Sequence, residues 1–598
     1  MIRIFIILLL LWIYPSTVIS QNLIDTILIT EQRPYSHHFL KADRKSVDSS
    51  HQDITPFLQS ILGGQVQIST PGGLTTLLHR GMGNRHLPIL WNGLNIQSVT
   101  NGSFDLGLIP TALLDEVSFF NSGNPALQGN NGFSGSLNLH ADQNLKDQNF
   151  LKAQINTLQN YDLAYKYSHH QNKTRYSIGL QTAYHQNIFH YTLNRKEEKR
   201  QATDFLQMNV MTQASHQLSP SQQVDFNLWW QYADRIIPVS VTSAPIIQKQ
   251  QDQNIRTQLS YTQYVHRHHW KTTAHYIKEY LDFSTPAIDS RSVVDVWMIH
   301  SAWTEKRNQK YQFAVSHRAD IANPNFYTAQ KRRNTTYLST SRNIKWDTHH
   351  FTHLAVRQDL TDNQWMPLSW TLHHIYKTWE WSASANYNLP GFNDLYWPEG
   401  GNPDLKTEKA LKTELSKKLN FGQIDWKVNL YASLVDNWIQ WLPNNSGRWS
   451  PINNKKVWSR GVELEGQKHI PWNKFGFDLM ASYSYNRTSA IEHYTDPNFI
   501  GKQLIFVPRH KAGLKGTAQY QNLTVNLDYQ NTGVRFDLTD ESSELDPIHL
   551  LNMSLMMKYA KYQIGGQVQN ILNTPYQIVR FYPMPGINLG LFIKYSFQ

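Results

Sequence analysis

The sequence predicts an all-β transmembrane barrel of about 22 antiparallel strands, filled by an N-terminal α/β plug domain. Three observations lead there. Aromatic residues make up 12% of the 598-residue chain, with 19 Trp and 30 Tyr, although only 40% of it is apolar and its mean hydropathy is negative. Large aromatics in so polar a chain suit a surface that faces something other than water. Many segments alternate apolar and polar residues over about ten positions, the pattern of strands with one lipid face and one lumen face. Beyond residue 20 no apolar run approaches a membrane helix, so a membrane-borne chain must cross as strands. Cysteine is absent, which excludes a disulfide framework and thiolate metal sites.

Residues 1–20, "MIRIFIILLLLWIYPSTVIS", carry one basic residue, Arg3, an apolar core from Ile4 to Tyr14, a break at Pro15 and the end Val18-Ile19-Ser20. The run is short for a span and reads as a signal peptide cleaved near Ser20–Gln21, an uncleaved anchor being the alternative. Residues 21–45 form an N-terminal linker, and 46–145 a smaller, glycine-punctuated unit without long alternating strands. A barrel this wide needs such a unit to fill it.

Within that unit, "LLHRGMGNRHLPILWNGLNIQ" (77–97) invites comparison with a phosphate-cradling loop. No helix pattern follows its glycines, so no helix N-terminus is available to an anion. It reads instead as a turn at Arg80-Gly81, a short buried strand at Leu87–Leu90 and a tight hairpin at Asn92-Gly93.

The barrel occupies 146–598. In "FGFDLMASYSY", Phe475, Phe477, Leu479, Ala481, Tyr483 and Tyr485 share one face. In "IDWKVNLYASL", Ile424, Trp426, Val428, Leu430, Ala432 and Leu434 alternate with Asp425, Lys427, Asn429, Tyr431 and Ser433, and "LTVNLDY" (523–529) repeats the pattern. At roughly 20 residues per tilted strand and connection, this length holds about 22 strands. A soluble sandwich or propeller would show shorter strands or a fixed repeat.

These parts together resemble the TonB-dependent outer-membrane receptors of Gram-negative bacteria. "DTILIT", Asp25, Thr26, Ile27, Leu28, Ile29 and Thr30, is similar to the TonB box; an extended β-branched hexapeptide can add as a strand to a partner's sheet edge. The Arg80-Gly81 turn, Ile109-Pro110, Glu116-Val117, Asn124-Pro125, Gly129, Gly132 and Gly135 follow the plug pattern. "GFNDLYWPEGGNPDLKTEKALKTEL" with Glu408, "NNKKVWSRGVELEG" with Glu463, and the closing "QNILNTPYQIVRFYPMPGINLGLFIKYSFQ" follow the barrel pattern. The chain departs from it in three places. Asn92 stands for an Asp, an equally good turn residue. Asn121-Ser122-Gly123-Asn124 replaces an Arg-Gly turn, which puts an inherited plug-to-barrel salt bridge there in doubt. Phe597 is penultimate rather than terminal.

The resemblance implies an active transporter in the outer membrane, a multi-pass β-barrel and not an enzyme. Its implied partners are TonB with ExbB and ExbD, a scarce nutrient, and the surrounding lipid; a surface lipoprotein stays open, and no nucleic acid is implied. Within the family the chain looks most like the cobalamin receptors. Carried over by position, ligand contacts fall on two plug loops: Met82, Gly83, Asn84, Arg85 and His86, and Gln97, Ser98, Val99, Thr100, Asn101, Gly102 and Ser103. Both are polar and offer donors and acceptors to a large, amide-rimmed ligand.

Ferric siderophores are the alternative, and the formal charge of +11 suits anionic chelates. Haem receptors of the family carry a histidine ligand where this chain, from Gly391 to Leu405, has none. Adjacent histidines such as His349-His350 point to opposite faces of a strand, so a pair gives one site at most one ligand. No cofactor is implied. The run Asp537, Asp540, Glu541, Glu544 and Asp546 offers calcium its hard oxygen ligands, beside the plainer reading of a solvated loop. A barrel enzyme would need a placed nucleophile and base, and neither Gly-x-Ser-x-Gly nor His-Glu-x-x-His occurs. A passive porin would lack plug and box.

Overall fold

The computed structural model describes residues 39–43, 54–121, 129, 131–141, 149–193, 196–200, 203–243, 246–305, 311–443, 449–493 and 497–597. The hexapeptide Asp25–Thr30 lies outside them. The barrel is closed and has 22 antiparallel strands. Its last strand, Asn588–Phe597, pairs with its first, Asn149–Asn156, and Phe597 faces Asn149 across the seam. One strand is interrupted between Gln364–Trp365 and Ser369–Tyr376, at Pro367, which has no N–H for the ladder.

Alternation decides which residue faces where. On Glu408–Phe421, Leu411, Leu415 and Leu419 are exposed on the outer wall, while Lys412, Glu414 and Ser416 are buried in the lumen. On Phe475–His493, Phe475, Leu479 and Tyr483 face outward and Ser484, Asn486 and Thr488 inward. The two ends of the barrel differ. At one end the turns are tight, as at 172–173, 266–267, 377–378 and 473–474. Trp346, Trp379, Trp472 and Tyr559 stand exposed beside that end, as an interfacial girdle requires. At the other end the connections at 186–204, 389–407, 494–509 and 570–587 are long. Short periplasmic turns and long external loops orient the molecule.

The plug sheet runs in the order Phe39–Asp43, Glu116–Phe120, Ser136–His140, Ile89–Trp91, Leu94–Asn95. Ile89–Trp91 lies parallel to Ser136–His140, and the other pairings are antiparallel. A hairpin of Gly64–Ile68 with Thr75–His79 and a short helix, Thr55–Ser60, complete the unit. Its core buries Trp91, Val117, Phe119, Leu137 and Leu139. Trp91 meets Trp229 of the barrel wall edge-on at 6.0 Å. Wall and plug also meet through apolar contacts, as where Leu108 packs with Phe205 and Ala233, and through polar groups: Gln207 and Gln231 both donate to Leu108 O, at 2.7 and 2.6 Å.

The two tight turns read from the sequence are present. Asn92 (φ 47°) and Gly93 (φ 87°) join Trp91 to Leu94, and Arg80 (φ 52°) and Gly81 (φ 75°) join His79 to Met82. Two consecutive positive φ values make the turn whose twist matches a hairpin. The expected strand at Leu87–Leu90 begins two residues later, at Ile89. Leu87 closes a 3-10 turn over Asn84–His86, and Pro88 has no N–H to give a ladder.

Candidate functional site

The Arg80-Gly81 turn reaches the barrel wall. Arg80 Nε and Nη2 donate to the two oxygens of Glu463 at 2.9 and 2.7 Å, and Nη1 donates to Glu414 at 2.7 Å. The guanidinium also lies 4.2 Å from the Tyr431 ring centre. Burial disfavours its charge, but Glu414 and Glu463 outweigh that and hold its pKa above the ordinary value. Ser459 and Thr488 donate to Arg80 O at 2.6 and 3.1 Å. A side chain at Gly81 would collide with Thr488, its Cβ falling 2.3 Å from Oγ1. Glycine at this point therefore permits both the φ and the approach.

At the turn that begins at Asn121 the described contact to the wall is a hydrogen bond to a backbone carbonyl, not a salt bridge; residues 122–124 lie outside the described residues. Lys412, on the barrel, donates to Asn121 O of the plug and pairs with Glu414 at 2.6 Å. A barrel lysine thus provides the second cation beside the Arg80 carboxylates.

The first apex loop is docked on the barrel. Met82 is buried with Phe133, Val435 and Val457. Gly83 and Asn84 are half-buried, and Arg85, also half-buried, forms a bidentate pair with Asp394. Although burial opposes its charge, Asp394 and then Glu408 raise the Arg85 pKa. His86 is buried, with Nε2 3.0 Å from Glu408 and its ring between Phe133 and Trp438 at 4.8 and 4.6 Å. Asp394 belongs to the short helix Phe392–Tyr396, in the long connection at 389–407.

Gln97 braces the two apex loops together. Its amide donates to Asn84 O (2.8 Å) and Leu87 O (3.1 Å) and accepts from Asn131 at 2.6 Å. In the second loop, Ser98 N donates to Ser103 O and Gly102 N to Ser98 O, both at 2.9 Å. The carbonyls of Val99 and Thr100 accept from Phe392 N and Asn393 N, which ties this loop to the same barrel segment. Asn101 is exposed at the tip; Ser98, Val99, Gly102 and Ser103 are half-buried, and Thr100 is buried. Both loops therefore converge on Gly391–Glu408. Sequence reading singled out Glu408 but missed Asp394 and Trp438; the signal for Asp394 was its place three residues after Gly391, whose N–H it caps at 2.7 Å.

Two members of the acidic run, Asp537 and Glu541, are committed to cations. Asp537 pairs with Arg580, whose hydrogen bond holds the carboxyl pKa below the usual range. Glu541 takes Arg509 at 3.0 Å and Gln503 N at 2.9 Å. Asp540 accepts from Ser542 N and Oγ, and Glu544 and Asp546 are exposed. Among the described residues no group of three or more histidine or acidic side chains is placed to hold a metal.

Beyond the Arg80 cluster, reaching from Leu62 and Gln467 to Asn588, lies a cavity of about 520 Å³ between plug and wall. The plug lines it with Pro56, Gln59 and Gly72, and the wall with Asn160, Gln530 and Asn588. Lys511 crosses from the wall to donate to Gln59 O (2.5 Å) and Gly64 O (2.7 Å).

The chain matches the TonB-dependent receptor-like β-barrel family over residues 99–571 and the TonB-dependent receptor plug domain over 42–136. It is 25% identical over 554 residues to a vitamin B12 transporter of Photobacterium profundum, covering 88% of this chain and 86% of that one. It is 21% identical over 580 residues to a vitamin B12 transporter of Vibrio vulnificus, covering 89% and 88%. The siderophore receptor PirA from Acinetobacter baumannii shares the fold at a TM-score of 0.76 and 12% identity, over 94% of this chain and 98% of that one.

Proposed function

The chain belongs to the TonB-dependent receptors of the Gram-negative outer membrane, and on that premise we propose that the nutrient it carries is cobalamin. The observation that carries the choice of ligand is the charge state around the plug apex. Four arginines, Arg85, Arg235, Arg318 and Arg357, are each paired with a carboxylate, Asp394, Asp105, Asp320 and Asp359 respectively, while Arg333 is committed to Pro390 O at 2.8 Å and to the Phe392 ring. The tip itself is neutral: Asn101 is exposed, its Oδ1 accepts from Ser103 N and Oγ at 3.0 Å, and Ser98 Oγ lies 2.9 Å from Thr100 Oγ1. Neutral donors and acceptors suit a large, amide-rimmed molecule better than a multiply charged ferric chelate, which calls for unpaired cations. The vitamin B12 transporters matched along most of the chain agree with this reading.

In the proposed cycle the ligand settles on the plug apex and the external loops. TonB, energised by ExbB and ExbD, grips Asp25–Thr30 and pulls on the plug. The contacts that hold the plug on the cavity side then give way and the lumen opens. Titration of the purified protein with cyanocobalamin and with a panel of ferric siderophores tests the ligand. Micromolar binding of cobalamin is expected. Siderophore binding without cobalamin binding at that concentration would transfer the assignment to ferric chelates.

A further inference from the structure

On the outer wall two arginines stand directly opposite each other, Arg460 on the strand Trp449–Trp472 and Arg487 on the strand Phe475–His493. Their neighbours at alternate positions, Trp458, Val462 and Tyr483, are exposed on the lipid side, while Ser459, Asn486 and Thr488 are buried inward. Like charges facing each other across a strand pair destabilise a sheet unless something compensates. Among the described residues neither guanidinium is paired with a carboxylate; the acids nearby are taken, Glu492 by Lys456 and Glu541 by Arg509. The Arg460 guanidinium sits over the Trp458 ring, 4.0 Å from its centre, and donates to Trp458 O at 3.2 Å and to Ser489 Oγ at 3.4 Å. Arg487 is exposed.

The depth of the pair says which anion it meets. Arg487 lies twelve residues beyond Phe475, which opens the strand at the short-turn end. At a rise of about 3.3 Å per residue and a tilt of about 40°, that is roughly 30 Å up the wall. The apolar band of such barrels is about 25 Å tall. Both guanidinium groups therefore emerge at the headgroup level of the outer leaflet. Tyr485 and His510, facing one another on the next rung, and Tyr483, hydrogen-bonded to His510 at 2.8 Å, give the amphipathic surround of that level.

We infer that Arg460 and Arg487 form a binding site for a phosphoryl group of the outer-leaflet glycolipid. Two planar guanidinium forks can each engage phosphate oxygens bidentately, and a dianionic group between them relieves their repulsion. The ring of Trp458 holds one fork in place before the lipid arrives.

The test uses the whole protein, delipidated in detergent, with native mass spectrometry counting bound lipid A. Bis-phosphorylated lipid A should bind, and lipid A stripped of phosphate should bind on the order of tenfold more weakly. R460A/R487A should lose binding by a similar tenfold factor, and R460K/R487K should keep part of it. Heat-modifiable mobility on gels confirms that each variant is a folded barrel. Equal binding by R460A/R487A, or equal binding of phosphate-free lipid A, would overturn the site. Displacement of lipid A by inorganic phosphate at matched concentration would overturn the lipid as its occupant.

Discussion

The two flanks of the plug are held by different physics. Around Arg80, a guanidinium, an ammonium and two carboxylates interlock without exposure, and two wall hydroxyls grip the turn's carbonyl. Around the helix Thr55–Ser60, beyond the Asp105–Arg235 pair at its rim, the plug faces a cavity and is held by Lys511 on two carbonyls and by Thr70 on Pro583 O at 3.0 Å. Breaking the first set strands charges in a dry interior, which costs far more than the pair's net worth. Water can replace hydrogen bonds to carbonyls almost in kind. The flank next in sequence to Asp25–Thr30 is thus the one that yields at lower cost. A plug fixed on one side and releasable on the other can open a path without leaving the barrel.

Substitutions on each flank can break or sharpen that contrast. The largest effect is expected from Arg80→Met, which leaves Glu414 and Glu463 facing Lys412 alone and should cost about 3–5 kcal/mol. Protease susceptibility of the plug and its unfolding in urea would report it; a loss under about 1 kcal/mol would remove the anchor from the account. Lys412→Met should cost less, about 2 kcal/mol, because Arg80 still serves both carboxylates. Lys511→Met should cost about 1.5 kcal/mol and act locally. Hydrogen exchange should rise at residues 55–61 and stay unchanged around Arg80; exchange that rises equally in both places would erase the distinction. Asn101→Ala should move stability by no more than about 0.5 kcal/mol. Its effect belongs in the cobalamin titration, where affinity should fall.

How much of this was legible in the sequence follows from the range of each signal. The barrel was legible because lipid and lumen impose a period of two on every strand, so Phe475, Leu479 and Tyr483 already declare their shared face. The turns at Arg80-Gly81 and Asn92-Gly93 were legible because turn chemistry is local. The start of the strand at Ile89 was not, since a 3-10 turn before Pro88 displaced it. The partners of Arg80 were not legible either: Glu414 and Glu463 lie 334 and 383 residues away. Glu463 stood out only as part of a strand motif, and Lys412 not at all. The loop at Met82–His86 reads as polar and open, yet Asp394 and Glu408 claim its basic residues. Composition gives a loop's polarity and says nothing about which distant carboxylate will neutralise it.

The central claim, that this barrel moves cobalamin with energy drawn through its N-terminal segment, is tested most directly by uptake. Cells whose own cobalamin receptor has been deleted would express this chain and be given radiolabelled cobalamin. TonB-dependent accumulation is expected, and it should disappear when Asp25–Thr30 is removed, while the folded receptor still binds cobalamin at the surface. Accumulation that survives the deletion, or cells that take up a ferric siderophore and no cobalamin, would contradict it.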